Sequence, residues 1–369
     1  MSTAGRVEGL SVAASAASAR ALPWLKTLLA GALAVLVLMS LSIGPVALGP
    51  VEVAGALFGS GAAEMHTVPG ADGASAASLA DETLRNQVIV REIRLPRVLL
   101  ALLVGMSLGV AGAAMQGLLR NPLAEPGLLG VSASASLGAV LCLYFGLATV
   151  SLWWLPVSAM STAALATLVL YLIARAGADN LTLILAGVAL SALASALTSL
   201  AINLAPNPTD VQDIVLWLLG SLADRSFTDI GLCLPFVLLG VGLLLACGRE
   251  LDALTLGEDE ARSLGVNLPR LRILVIVGTA LCVGASVAVT GAIGFVGLVV
   301  PHMLRRLVGY HPARLLPASA LGGALLLLSA DIVLRLLSGS QEIMLGVVTA
   351  LIGAPFFLAL VLRSRSSLG

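Results

Sequence analysis

Ten apolar stretches run along the chain, most of them about as long as the 20 residues that a helix needs to cross a bilayer. They occupy residues 24–46, 96–118, 127–146, 152–175, 183–204, 230–248, 270–290, 292–308, 315–337 and 343–363. Only 11% of the 369 residues are charged, which is too few to cover a water-facing globule of this length. We therefore predict an all-α membrane protein with about ten transmembrane helices. Pro301 interrupts the eighth stretch, so the pattern leaves its boundary with the seventh open. A shorter amphipathic segment, 211–221, is predicted to lie at a membrane surface.

The basic residues give the expected orientation. With the N-terminus inside, 14 of the 20 fall on the inner side, namely Arg6, Arg20, Lys26, Arg120, Arg175, Arg249, Arg262, Arg270, Arg272, Arg305, Arg306, Arg314, Arg363 and Arg365. The other six, Arg85, Arg91, Arg94, Arg97, Arg225 and Arg335, fall outside. This bias agrees with the positive-inside rule and predicts cytoplasmic N- and C-termini. Residues 1–23 then form a cytoplasmic tail and residues 47–94 a long outer loop.

A short internal repeat relates the two halves. Leu95-Pro96-Arg97 and Gly105 recur 173 positions later as Leu268-Pro269-Arg270 and Gly278. In the predicted topology the first segment runs inward and the second outward. The pattern favours two inverted five-helix repeats, an arrangement common among transporters.

Several kinds of chemistry have no sequence signal. A P-loop needs a lysine after its glycines, and the only lysine is Lys26 beside the first stretch. Ion-coupled carriers place carboxylates deep in the membrane, and the deepest acid, Asp331, has Arg335 one helical turn away as an i,i+4 partner. The spacing of Cys and His predicts no metal site, and we see no catalytic constellation. An ion-coupled secondary transporter stays open as the alternative from another class.

Three long segments carry a family resemblance. They are Arg94–Gly130 with Asn121-Pro122-Leu123-Ala124-Glu125-Pro126, Gly291–His302, and Gly346–Pro355. In this order they closely resemble the permeases for iron chelates, heme and vitamin B12. The resemblance implies that residues 24–369 form the transmembrane subunit of a type II ABC importer in a bacterial inner membrane. It further implies a second copy of the chain, two cytoplasmic ATPase subunits that bind ATP and Mg, and a periplasmic substrate-binding protein. No cofactor of the chain itself and no nucleic-acid partner are expected.

The inner loop 252–268 is predicted to couple the chain to the ATPase. Gly257 and Gly265 flank a segment whose first turn holds three acids, which suits the positive end of a short helix. The resemblance implies that this is the coupling helix. The residues assigned to it are Leu256, Gly257, Glu258, Ala261, Leu264 and Gly265. A solvated connecting helix would explain the same acids.

The resemblance also implies a cytoplasmic gate. Asn121 and Leu123 follow the second stretch, and Asn180 and Leu181 lie between the fourth and fifth. At the second pair the residue types differ from the small hydroxyl residues of the vitamin B12 permease, so the position carries over better than the chemistry. Asn180 as a cap of the fifth helix is the alternative.

Three outer arginines, Arg94, Arg97 and Arg335, match family positions that pair with glutamates of the binding protein. The planar guanidinium suits such carboxylate contacts. Anchoring at the lipid headgroups is the alternative. The substrate expected first is heme, with vitamin B12 and ferric siderophores as alternatives, and His66 is expected to be a loop residue and not a heme ligand.

Overall fold

The computed structural model describes residues 24–59, 73–151, 153–337 and 343–365, and this part of the chain is helical without a β-strand. The helices are α1 (Trp24–Ser42), α2 (Pro50–Phe58), α3 (Gly73–Val88), α4 (Leu95–Leu118), α5 (Val131–Tyr144), α6 (Leu147–Val150), α7 (Trp154–Arg175), α8 (Asn180–Asn203), α9 (Pro208–Leu218), α10 (Phe227–Ala246), α11 (Gly248–Leu254), α12 (Glu258–Ser263), α13 (Leu268–Thr290), α14 (Val296–Arg305), α15 (Pro312–Leu337) and α16 (Leu345–Arg365). A π-helix (Ile89–Arg94) joins α3 to α4, and a 3₁₀-helix (Pro126–Leu129) precedes α5.

Ten of these helices lie on the ten predicted stretches. In the described residues, seven helices are long and apolar enough to cross a membrane: α1, α4 within the run Asp81–Leu118, α7, α8, α10, α13 and α15. Three shorter apolar helices, α5, α14 and α16, fall on the remaining stretches. The all-α prediction is confirmed, whereas a count of ten crossings stays a prediction.

Two predicted connections are more ordered than the sequence suggested. The outer loop 47–94 contains α2, α3 and the π-helix, which continues into α4 without a break. The amphipathic segment 211–221 overlaps α9, whose Ile214 is buried against α5. The tail 1–23 and His66 lie outside the described residues.

α4 and α13 form the centre of the molecule. In each, 78% of the best apolar window is buried within the chain, compared with 17% in α1 and in α8. Ser107 Oγ of α4 and Ser286 Oγ of α13 are 2.7 Å apart and buried, so the middle of α4 meets the last turns of α13. α1 and α8 therefore lie at the edge, where most of their surface faces lipid or another chain.

Glycines let α4 approach its neighbours closely. A Cβ at Gly105 would lie 2.4 Å from the carbonyl oxygen of Gly323 on α15, and one at Gly112 would lie 1.8 Å from that of Gly297 on α14. Either distance is far below van der Waals contact. These positions are small because two helix backbones touch there, as expected for helices that pack in lipid.

The packing partners reveal the internal repeat. α4 packs on α15 as α13 packs on α7, and α5 contacts α7 and α8 as α14 contacts α15 and α16. The pairs α5–α13 and α14–α4 also correspond, as do α7–α8 and α15–α16. Exchanging α4, α5, α7 and α8 with α13, α14, α15 and α16 thus preserves this set of contacts. The exchange involves four helices in each half, and a fifth in each stays a prediction.

α4 and α13, which carry the repeated Leu-Pro-Arg segments, run in opposite directions. The carbonyl oxygen of Leu118, at the end of α4, accepts a hydrogen bond from Asn180 at the start of α8. Two residues earlier, the carbonyl of Ala178 accepts one from Arg272 near the start of α13. The end of α4 and the beginning of α13 therefore share one end of the molecule. The inverted orientation of the repeated Leu-Pro-Arg segments is confirmed.

The boundary between the seventh and eighth stretches is a sharp break. α13 ends at Thr290, and Gly291 and Phe295 adopt φ values of 71° and 66° before α14 begins at Val296. The backbone N–H of Phe295 donates to Glu125 Oε1 at 2.8 Å. Burial raises the pKa of the Glu125 carboxyl in its connecting segment, and this hydrogen bond opposes the rise. Glu125 thus joins the segments that follow α4 and α13.

Candidate functional site: coupling helix and gate

The predicted coupling segment is a short helix, α12, bounded by two glycines. Gly257 precedes it with a φ of 134°, and Gly265 follows it with a φ of 89°, both in the region that favours glycine. Glu258, Asp259 and Glu260 occupy the first turn, where the helix dipole stabilises negative charge. The helix predicted from these residues is confirmed.

Two exposed leucines flank α12, one before the helix and one after it. Leu256 and Leu264 are each 65% exposed on either side of the helix, whereas Ala261 is fully buried. The two leucines can contact another protein directly, while Ala261 seats α12 on its own chain. Large exposed apolar side chains beside charged ones are typical of protein interfaces.

Ion pairs attach α12 to the body of the protein. Glu258 Oε1 lies 3.0 Å from Arg272 Nη2, and its other oxygen lies 3.6 Å from Arg262 Nη2. The side chain of Arg272 is only 11% exposed. Arg262 also pairs with the exposed Asp259, and that surface pair contributes little to stability.

The two predicted gate segments are joined at the end of α4. Asn180 Nδ2 donates to the carbonyl oxygen of Leu118 at 3.3 Å. Asn121 Oδ1 accepts from the backbone N–H of Leu123 and closes a tight turn. Asn121 is exposed, and Leu181 is 62% exposed. The structure thus places the segments of Asn121, Leu123, Asn180 and Leu181 side by side.

The cap of α8 is Asp179 and not Asn180. Asp179 Oδ1 accepts from the backbone N–H of Thr182 at 2.9 Å. Hydrogen bonds from Thr182, and to a smaller extent the charge of Arg272, lower the pKa of this exposed carboxyl. Asn180 is therefore free to bind the end of α4, and the capping alternative does not describe it.

Arg272 is the residue of this end that the sequence did not single out. Its guanidinium donates from Nη1 to the carbonyl of Ala178 at 2.9 Å and pairs through Nη2 with Glu258. In the sequence it was one of fourteen inner basic residues. The sequence held one signal that the two arginines have different surroundings. Arg272 follows Arg270 by two residues, and residues i and i+2 point to different sides of a helix.

At the opposite end, the three outer arginines bind partners within the chain. Arg94 is 4% exposed and donates to the carbonyls of Leu41, Ser42 and Val46. Arg335 donates to the carbonyls of Ser40 and Ile43 and to the Ser40 hydroxyl. Arg94 and Arg335 therefore hold the end of α1.

Asp331 lies between Arg97 and Arg335. Its Oδ1 is 2.8 Å from Arg97 Nη2, its Oδ2 is 3.1 Å from Arg335 Nε, and its side chain is fully buried. The i,i+4 pair expected with Arg335 is confirmed. Asp331 thus links α4 to α15 through an ion pair with Arg97 and stays paired with Arg335 on its own helix.

Metal-ligating and thiol side chains are the other candidates for site chemistry in the described residues. Among the described residues, no group of three or more His, Cys, Asp or Glu is arranged to hold a metal ion. All four cysteines, Cys142, Cys233, Cys247 and Cys282, are free and buried.

Comparisons with known proteins agree with this architecture. The model of the FecCD transport family matches residues 32–363. The vitamin B12 import system permease protein BtuC of Vibrio cholerae is 46% identical over 286 residues, which are 76% of this chain and 85% of the relative. The hemin transport system permease protein HmuU of Yersinia pestis is 41% identical over 281 residues, 74% of this chain and 83% of the relative.

A solved structure shares the fold. It is described as an inward-facing conformation of a metal-chelate type ABC transporter, with 35% identity and a TM-score of 0.78. The match covers 92% of this chain and 99% of that one. Permeases of this kind are not enzymes, since ATP hydrolysis lies in separate subunits. The chain belongs to the FecCD transport family and is a membrane-spanning permease subunit of a type II ABC importer.

Proposed function

We propose that two copies of this chain form the translocation path of an importer that carries a metal chelate across the bacterial inner membrane. Heme is the leading candidate for the substrate. The observation that carries the proposal is the family match over residues 32–363. Two relatives of similar identity import vitamin B12 and hemin. Each of those substrates is a metal ion in a large organic macrocycle. Vitamin B12 is therefore the second candidate, and a ferric siderophore is the wider alternative.

The charges support a cytoplasmic position for the end that holds α12. Several basic residues lie at or next to helix ends there: Arg120, Arg175, Arg249, Arg262, Arg270, Arg272 and Arg314. This is the side that the positive-inside rule assigns to the cytoplasm. α1 ends near Arg94 at the opposite end, so its start points towards the cytoplasm. α16 runs alongside α14 towards the α12 end, since Gly353 contacts Phe295 and Phe356 contacts His302.

The surface of α12 supports docking of an ATPase subunit. Leu256 and Leu264 offer apolar contacts, and Glu258, Asp259 and Glu260 offer charge. ATP and Mg would bind to that partner.

The exposure of the gate residues supports a homodimer. Asn121 and Leu181 lie on the outside of a single chain. Residues on an outer surface close a passage only when another surface faces them. A second copy, related by a two-fold axis, supplies that surface.

The opposite end is proposed to receive a periplasmic binding protein. Of the three arginines assigned to docking, Arg97 retains the largest exposed fraction, 19% of its side chain. Arg94 and Arg335 are proposed to act indirectly, because they hold the end of α1 beneath that surface.

Uptake by the reconstituted complex tests the proposal. The chain, its ATPase and its binding protein are placed in liposomes, and uptake of heme, cyanocobalamin and a ferric siderophore is measured with and without ATP. We expect ATP-dependent, vanadate-sensitive uptake of heme and little of the other two. Preferred uptake of cyanocobalamin or of the siderophore would select that alternative. Uptake that follows an ion gradient without ATP would contradict an ABC importer.

A variant of the α12 surface provides the site-specific arm. Leu256→Asp with Leu264→Asp should abolish ATP-dependent uptake, because charges in the apolar contact prevent the ATPase from seating. Leu84→Asp on α3, a leucine of similar exposure (59%) in the outer loop at the opposite end, is the control for binding of the ATPase. Full ATPase binding by the double variant would remove α12 as the docking surface.

A further inference from the structure

We propose that Arg272 is the residue that transmits movement of α12 to the gate, by bridging α12 and the turn between α7 and α8. The proposal rests on the proposed function, because it assumes that α12 contacts an ATPase and that the segments of Asn121 and Asn180 form a gate.

One guanidinium makes both contacts. Nη2 of Arg272 lies 3.0 Å from Glu258 Oε1 on α12, and Nη1 lies 2.9 Å from the carbonyl oxygen of Ala178 in the turn. The group is planar, so the two contacts are held at a fixed angle to each other. A shift of Glu258 therefore moves the turn with it instead of being absorbed by a flexible side chain.

The bridge is shielded from water. The Arg272 side chain is 11% exposed and that of Glu258 is 30% exposed. Shielding strengthens the ion pair relative to a pair on the open surface, because solvent and salt screen it less. The nearby pair of Arg262 and Asp259 has exposures of 59% and 89%, so it cannot hold α12 in the same way.

The turn has room to move under this pull. Gly177 has a φ of 87°, and a Cβ placed there would meet nothing within 4 Å. Asp179, two residues further along, is exposed. Arg272 binds this open turn from the side and connects the turn to α12.

The turn between α7 and α8 also contacts the end of α4. Asn180, two residues after Ala178, donates to the carbonyl oxygen of Leu118. The tight turn of Asn121 begins three residues further along. The contacts thus run without a gap from α12 through Arg272 to both gate segments.

The matched control is the neighbouring Arg270. It lies one turn or less away on the same helix and is exposed, and its guanidinium makes no hydrogen bond or ion pair with the described residues. Replacing it removes the same charge from the same end of α13 without cutting the bridge.

The experiment uses a cysteine reporter at the gate. Leu181→Cys is introduced into the chain, and the complex with its ATPase is assembled in nanodiscs. The four native cysteines are buried, so maleimide labelling reports on position 181. The labelling rate is measured in the nucleotide-free state and after trapping with ATP and vanadate.

The expected result is a split between hydrolysis and gate movement. Arg272→Gln should reduce the nucleotide-dependent change in labelling about fivefold or more while ATP hydrolysis continues. Arg270→Gln should leave the change intact. Arg272→Lys should behave like Arg272→Gln, because one ammonium keeps the charge but not the two-armed geometry.

Three outcomes overturn the proposal: a full labelling response in Arg272→Gln, a loss of response equal to it in Arg270→Gln, or rescue by Arg272→Lys. If Arg272→Gln does not assemble, Glu258→Gln tests the same bridge from α12, and an unchanged response there also overturns it. A parent complex with neither ATP hydrolysis nor a labelling response would instead contradict the proposed function.

Discussion

Arg94 shows how a residue's surroundings redefine its role. Arginine at the edge of an outer loop is an ordinary candidate for pairing with a partner's carboxylate. In the fold, its guanidinium faces three backbone carbonyls that follow or end α1. The last carbonyls of a helix have no partners within it, and a cation is favoured beside them. Arg94 satisfies that need within the chain.

Replacing Arg94 should therefore destabilise the protein itself. Arg94→Ala removes hydrogen bonds from a charged donor, each contributing about 1.5–3 kcal/mol, and takes this donor away from the buried carbonyl of Leu41. We expect a clear fall in the thermal midpoint of the purified chain in detergent, with little dependence on salt. Arg85→Ala is the control, since Arg85 is 58% exposed and its ion pair with Glu82 is long, at 3.8 Å. An unchanged midpoint together with salt-sensitive loss of binding-protein affinity would favour direct docking.

Among the elements, α4 depends on small residues along most of its length. Gly105 and Gly112 meet backbone atoms of α15 and α14, so no rearrangement of a side chain can make space there. Interiors are packed closely enough that one added methyl group is felt. The glycines of α4 are therefore required by two neighbouring backbones, those of α15 and α14.

A methyl group at Gly112 should disturb the centre of the molecule. Gly112→Ala places a Cβ 1.8 Å from the Gly297 carbonyl oxygen, which forces α4 and α14 apart at a cost of about 1–3 kcal/mol or more. We expect less monodisperse protein in size-exclusion chromatography and a lower thermal midpoint. Gly242→Ala on α10 is the matched control, because a Cβ there meets nothing within 4 Å. Equal behaviour of the two variants would show that α4 and α14 are not packed this closely.

At the scale of the whole molecule, the two ends carry different features although an inverted internal repeat relates them. The end that holds α12 combines basic residues, the exposed leucines beside α12 and the segments predicted to form a gate. The other end holds α1 through Arg94 and Arg335 and contains the buried Asp331. An importer needs this asymmetry, because energy is supplied on one side and cargo on the other.

A second copy of the chain should be close to the gate. Asn121→Cys should form a covalent dimer with a short bismaleimide in native membranes, because two-fold symmetry brings the same exposed position of both copies together. The buried native cysteines keep the background low. Ser263→Cys, exposed on α12, provides the comparison and should stay monomeric on a denaturing gel although its thiol is labelled. A monomer band alone for Asn121→Cys, with labelling of the thiol verified, would contradict a gate formed by two copies.

Properties that depend on neighbouring residues were predictable from the sequence. The ten apolar helices follow from local hydropathy, and α12 follows from two glycines and three acids within nine positions. The ion pair of Asp331 and Arg335 follows from a spacing of one helical turn.

Properties that depend on distant residues were decided by the tertiary structure. Arg94 meets carbonyls about 50 positions away, and Arg272 meets one 94 positions away. Hydropathy and charge say that an arginine lies at a helix end, but they do not say which backbone faces it. The sequence by itself determined a helical membrane protein and the short helix α12 between two glycines. Only the packing of α4, α13 and their neighbours decided that Arg94 holds α1 and that Arg272 joins α12 to the turn before α8, because each contact exists only once those helices have come together.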